Sequence, residues 1–207
     1  MSRRRPVLLL CLLAVLVPAG ATPAGATPAG AAPRCHAGPG EVRFDDGRLA
    51  VTRDVRSADP RAVRERWWAC WRPTGRRTAL VDTRHRRGAD ELALLAVRRG
   101  RFVVLAGAGR LDVYDARRGG TTATMSQVGV VRELVVTGHG RLAALQDTFG
   151  GGRQLWAGNG TQGCMVDAGR ATTGYGDVFG DLTVHHERLA WYRDGVAMGE
   201  DLSGLTC

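Results

Sequence analysis

Gly47-Arg48-Leu49-Ala50-Val51 returns three times along the chain, as Gly100-Arg101-Phe102-Val103-Val104, Gly140-Arg141-Leu142-Ala143-Ala144 and Glu187-Arg188-Leu189-Ala190-Trp191. The arginines of successive phrases stand 53, 40 and 47 residues apart. A recurring unit of roughly 40–50 residues marks a repeat architecture. A β-rich run precedes each phrase: Glu41 to Phe44, Leu92 to Val97, Leu134 to Thr137 and Leu182 to His185. Short turns such as Asp45-Asp46-Gly47 and Gly138-His139-Gly140 lie between run and phrase. Tight hairpins need positive φ, which Gly and Asp–Gly supply, so each pair reads as a β-hairpin. The apolar residues of Leu49-Ala50-Val51 and Leu189-Ala190-Trp191 are contiguous, which predicts strands covered on both faces.

A third run ends in a Gly turn in each unit. It reads Trp68 to Arg76, then Leu111 to Gly119, then Cys164 to Arg170, although Gln154 to Gly158 competes for that last slot. Fourth strands are expected at Thr78 to Thr83, at Thr121 to Met125 and near Ala171 to Gly174. The last unit would use Val196 to Met198 and Leu205 to Cys207. A loop or one helical turn is expected over Pro60 to Trp67, with Asp59 as a candidate N-cap and Pro60 in the first turn. Inserted in the first unit, it would explain the longest spacing.

Four units of about four strands resemble the blades of secreted bacterial β-propellers. Arg110-Leu111-Asp112-Val113-Tyr114-Asp115-Ala116-Arg117-Arg118-Gly119 looks like the blade strand written there as two apolar residues, Asp, two or three residues, then Gly. The resemblance covers Glu41 to Cys207 and implies an all-β fold, a small four-bladed β-propeller-like repeat domain over residues 39–207. Propellers have 4–8 blades. An incomplete propeller that closes by dimerisation and a two-sheet β-sandwich stand as alternatives.

The first 21 residues read as a signal peptide. Arg3, Arg4 and Arg5 precede an apolar run of 11 residues, Val7 to Val17, and Ala19-Gly20-Ala21 is a small-residue cleavage site. The run is too short for a membrane span, which needs ~20 apolar residues, so no stable span is expected after cleavage. Residues 22–38 are rich in Ala, Pro, Gly and Thr and read as a flexible linker.

All 29 basic residues are arginine. This bias resembles that of secreted proteins from high-GC actinobacteria. The formal charge of +9 includes three signal-segment arginines, which leaves +6 on the exported chain. A basic exported protein is drawn to anionic polymers of the envelope. Another envelope protein is the other expected partner. No nucleic-acid-binding motif is present, so nucleic acid is not expected.

Four cysteines follow the cleavage site: Cys35, Cys70, Cys164 and Cys207. An even number in an exported chain implies disulfides. Pairing of sequence neighbours gives Cys35–Cys70 and Cys164–Cys207. Joining the chain ends would instead give Cys35–Cys207 and Cys70–Cys164. No two cysteines have the close spacing of a zinc knuckle.

Few residues point to catalysis. His185-His186-Glu187 is the most ligand-like cluster, but strand alternation puts at most two of the three on one face, too few for a metal site. No serine sits in G-x-S-x-G. Nothing in the spacing of the carboxylates selects a glycosidase pair. Asp115 and Asp167 each precede a Gly turn and are expected to bond their own backbone. The candidate ligand contacts are Trp67, Trp68 and Trp71 with Arg66 and Arg72. On a strand, Trp67 and Trp71 face one way and Trp68 the other. An exposed Trp beside arginines suits stacking on a sugar or partner surface. No cofactor or metal is expected. The sequence therefore points to an exported, disulfide-stabilised binding or scaffold module of the bacterial cell envelope. A secreted hydrolase acting on a carbohydrate or ester is the alternative.

Overall fold

The computed structural model describes residue 35 and residues 40–59, 61–86, 91–160, 162–170 and 179–205. Residues 1–34, which contain the expected signal peptide and most of the linker, lie outside this set. The described chain is all-β and forms four separate antiparallel sheets, each a meander of consecutive strands. The first sheet holds β1 (Glu41–Asp45), β2 (Leu49–Asp59), β3 (Ala62–Trp71) and β4 (Arg76–Arg86). The second holds β5 (Ala93–Arg98), β6 (Phe102–Gly107), β7 (Arg110–Asp115) and β8 (Thr121–Ser126). The third holds β9 (Gly129–Val136), β10 (Leu142–Thr148), β11 (Gly152–Asn159) and β12 (Gln162–Arg170). The fourth has three strands, β13 (Phe179–His185), β14 (Arg188–Arg193) and β15 (Val196–Asp201). There are four sheets, where a sandwich would have two.

The hairpins follow from local chemistry. Ala108-Gly109 and Asp194-Gly195 join β6 to β7 and β14 to β15 with both central residues at positive φ. That is the conformation whose twist matches the flanking strands. In the β1–β2 turn, the Asp46 carboxylate accepts the backbone N–H groups of Arg48 and Leu49 at 2.8 and 2.7 Å.

Three apolar cores join consecutive sheets. Leu49, Val51, Trp67 and Trp71 of the first sheet pack with Val103, Leu105 and Tyr114 of the second. Phe102, Val104, Leu111 and Val113 of the second pack with Leu142 and Ala144 of the third. Ala143, Leu145 and Leu155 of the third pack with Leu189 and Trp191 of the fourth. So β6 and β10 are buried on both faces, and Leu49, Ala50 and Val51 of β2 are all buried, as their contiguous apolar run predicts. Two glycines permit the close approach of the second and third sheets. A Cβ at Gly158 would lie 2.8 Å from the Thr124 carbonyl oxygen, and one at Gly163 would lie 2.5 Å from the Met125 Cβ.

Several expectations need correction. Residues 62–67 are strand, not a loop or helical turn. Val63, Glu65, Trp67, Ala69 and Trp71 are buried while Arg64 is exposed and Arg66 half-buried, a period of two. The Asp–Pro pair at Asp59-Pro60 suggested a helix cap, but burial of alternate residues decides the element. Long strands, not an insertion, lengthen the first unit. The third strand of the third unit is β11, with Gln154 to Gly158, and Cys164 to Arg170 belongs to the fourth strand β12. Residues 171–174 lie outside the described residues. Leu205 is not in a strand, and Thr206 and Cys207 lie outside the described residues. β14 is covered on one face only: Leu189 and Trp191 are buried, but Ala190 is exposed and Tyr192 is 48% exposed. The fourth sheet is the last of the series, and no further apolar core covers its outer side among the described residues.

The Cys35–Cys70 disulfide is present, with Cα atoms 5.7 Å apart, and it excludes the end-joining alternative. Cys164 is also disulfide-bonded, while Cys207, its expected partner, lies outside the described residues. A loop of this size contributes about 3–4 kcal/mol through the unfolded chain.

Glu65 is the fully buried charge of the first core. Its carboxylate accepts Arg53 Nε at 2.6 Å, Trp67 Nε1 at 2.8 Å and the Leu92 backbone N–H at 3.2 Å, and His85 Nε2 lies 2.9 Å away. Burial works to raise its pKa, and the hydrogen bonds from Leu92, Trp67, Arg53 and His85 outweigh it, so the carboxyl titrates below its ordinary value. Asp82 offers the contrast. Arg64 binds it through two nitrogens and Arg66 through one, and the Arg64 hydrogen bonds hold its pKa at about 2, yet 43% of its side chain is exposed. Breaking a buried ion pair costs about 3–5 kcal/mol, whereas an exposed one is worth about 0–1 kcal/mol. Glu65→Leu is therefore expected to lower the unfolding free energy by about 3–5 kcal/mol and Asp82→Ala to leave it nearly unchanged, read from denaturant midpoints. A depressed carboxyl stabilises above its unfolded pKa. The Glu65 contribution is thus complete above pH 4.5 and is lost as pH falls through the folded value.

Candidate functional site

The repeated phrases begin at the turns between the first and second strand of each sheet. Three of these turns, from the second, third and fourth sheets, wall one pocket of about 300 Å³. Arg99 comes from the β5–β6 turn, Gly138 and His139 from the β9–β10 turn, and His186 and Glu187 from the β13–β14 turn, with His185 at the end of β13.

Glu187 ties two of these turns together. It accepts His139 Nδ1 and Arg141 Nη1, each at 2.7 Å. A carboxylate only accepts, so His139 must carry its proton on Nδ1 and directs Nε2 elsewhere. Burial works to raise the Glu187 pKa, but hydrogen bonds from His139, Thr137 and Arg141 outweigh it and lower the carboxyl below its usual value. Arg99 Nε donates to the Val136 carbonyl at 3.3 Å, which leans the side chain across the sheet boundary. The His185 and His186 rings meet edge to face with centroids 4.3 Å apart. The cluster His185-His186-Glu187 is thus a turn wall, and no group of three metal-type ligands is present among the described residues.

Two residues of this wall have costly backbones. Arg99 has φ 53° and His186 has φ 55°, a region that favours Gly, Asn and Asp. A left-handed conformation costs an ordinary residue about 1–2 kcal/mol.

Arg48 and Arg101 of the phrases serve the fold. The Arg48 guanidinium lies 4.9 Å from the Trp71 ring centroid. Arg101 grips buried Asp115 through two nitrogens, Nε at 2.8 Å and Nη2. Asp115 also accepts the backbone N–H groups of Arg117 and Arg118 at 2.9 and 3.1 Å, as expected of an Asp before a Gly turn. Asp167 also bonds the local backbone as expected, accepting the next N–H, of Ala168, at 2.8 Å, but it does so within β12 and not at a turn, and it receives Trp191 Nε1 at 3.0 Å and Arg193 Nη1 at 2.7 Å from β14.

The five expected ligand contacts do not converge. Trp67 and Trp71 are inside the first core, at 0% and 4% exposure. Trp68 points to the opposite face, half-buried, with the Arg77 guanidinium 4.3 Å from its ring centroid. Arg66 is held by Asp82 at 3.2 Å, and Arg72 forms a two-nitrogen pair with Asp45 beyond the strand end. A charged groove on the first sheet is lined by Arg64, Asp82, Thr83 and Arg84, and in its wall Arg64 is paired with Asp82.

One repeated device escaped the sequence reading. On the third strand of each four-stranded sheet, an acid or amide accepts the hydrogen bond of the aromatic residue two places on. Trp67 Nε1 donates to Glu65 at 2.8 Å, Tyr114 Oη to Asp112 at 3.5 Å and Trp156 Nε1 to Gln154 at 2.8 Å. The residues i and i+2 share a face of a strand, so the device needs only that spacing.

No protein-family model matches the chain, and no curated protein matches it. Among the described residues, no helix is long and apolar enough to cross a membrane.

The backbone strain has a measurable consequence. His186→Asn, which suits positive φ, is expected to raise the unfolding free energy by up to about 1 kcal/mol, seen as a higher thermal midpoint; a lower midpoint would show that the imidazole stabilises the turn.

Proposed function

We propose that this chain is an exported β-propeller-like repeat domain that binds an anionic polymer of the bacterial cell envelope. The observation that carries the reading is the convergence of three successive first-to-second-strand turns on one pocket rimmed by Arg99, His139, His185 and His186. Four small meander sheets in chain order, each packed on the next, support the propeller-like arrangement. The Cys35–Cys70 disulfide is compatible with an extracellular location. The basic charge of the chain favours an acidic partner.

The carboxylates favour binding over hydrolysis. Asp45, Asp115, Asp147 and Glu187 are each held by arginine and have lowered pKa values. A glycosidase acid needs the reverse, a carboxyl raised until it keeps its proton near neutrality.

Purified protein from an exporting culture should begin at Thr22. It should co-sediment with insoluble wall material and be released as salt rises, because screening weakens contacts between exposed charges. Retention of the first 21 residues, or no co-sedimentation at low salt, would contradict the reading.

A further inference from the structure

The groups that the pocket leaves uncommitted are donors and cations. Arg99 uses only Nε, on the Val136 carbonyl, and meets no carboxylate among the described residues. The His185 and His186 rings touch each other but make no hydrogen bond among the described residues. His139 gives its Nδ1 proton to Glu187, so Nε2 stays available. Glu187, the one carboxylate of the wall, is occupied by His139 and by Arg141. These groups come from three different sheets, so the pocket is lined by donors from several separate elements.

That geometry discriminates between anions. A planar carboxylate is satisfied by the fork of a single arginine. A phosphoryl group presents strong acceptor oxygens in several directions and suits donors that arrive from several elements. A volume of about 300 Å³ admits such a group with part of its ester chain. Arginine and histidine also occupy turn positions where Gly or Asn would avoid backbone strain, so the side chains at φ 53° and 55° are bought at a cost to the fold.

We infer that the pocket between Arg99, His139, His185 and His186 is a phosphoryl-binding site. The inference rests on the reading of the domain as an envelope-polymer binder and names the ligand chemistry of that same site. The phosphoryl group belongs either to a polymer phosphodiester or to free phosphate.

The test follows the histidine ring signals by NMR while inorganic phosphate, poly(glycerol phosphate) or polyglutamate is added to the oxidised protein. Saturable shifts of the His185 and His186 signals are expected with a phosphoryl probe and not with polyglutamate at equal charge. Arg99→Asn and His186→Asn keep backbones that tolerate positive φ, and each is expected to weaken binding about tenfold without lowering the thermal midpoint. Saturation by the polymer supports a polymer phosphodiester as the source, and saturation by phosphate alone supports the free anion. Equal response to polyglutamate, or unchanged affinity in both variants, overturns the inference. If wild-type protein sediments with wall material but shows no saturable shift, the phosphoryl site falls and the binding module stands. If it does neither, both fall.

Discussion

A carboxylate without contact with water sits at the boundary of the first and second sheets, and the residues around it answer its charge. Taking an ion out of water costs several kcal/mol unless its lone pairs are filled. Glu65 fills them from four directions: Arg53 on β2, Trp67 on β3, His85 on β4 and the backbone N–H of Leu92 ahead of β5. Three strands of one sheet and the entry to the next are thereby fixed to one point. Apolar packing alone would hold the two sheets together, but it is not directional. The hydrogen bonds of Glu65 set where Leu92, and with it β5, can lie.

The later boundaries use the same device with other residues. Gln146 is fully buried on β10 and accepts the Val128 N–H at 2.9 Å just ahead of β9, while its amide donates to the Ser126 carbonyl at the end of β8. Glu133 on β9 accepts the Leu182 N–H of β13 at 2.9 Å. Each boundary thus has a polar side chain that takes a backbone donor near a first strand. This also explains the pocket. If the sheets are registered at their boundaries, their first-to-second-strand turns must line up, and Arg99, His139 and His186 are brought to one place.

The hairpins were legible in the sequence because Gly turns and contiguous apolar runs act locally. Arg48, Arg101, Arg141 and Arg188 marked the start of every second strand. What local reading could not see was Glu65. Flanked by Arg64 and Arg66, it looks like part of a charged helical turn after Asp59-Pro60. Only its burial reveals that Val63, Glu65 and Trp67 share one strand face. The same blindness shifted the third unit: Gln154-Leu155-Trp156 carries the polar, any, aromatic spacing of Glu65-Arg66-Trp67 and Asp112-Val113-Tyr114, and that spacing identifies β11. Of the candidate site, His185, His186 and Glu187 were noticed as a cluster. Their partners Arg99 and His139 come from turns 48 or more residues earlier in the chain, which no local spacing connects.

The structural and functional accounts meet at the boundary hydrogen bonds, since a pocket shared by three sheets holds its shape only if the sheets keep their registry. Hydrogen exchange tests this most directly, through the Leu92 amide and the Trp67 indole N–H that both end on Glu65. If Glu65 fixes the first boundary, both protons should exchange only through global unfolding, with the same free energy as the slowest core amides. Exchange of the Leu92 amide at the rate of an open loop, while core amides of β6 stay protected, would contradict the account.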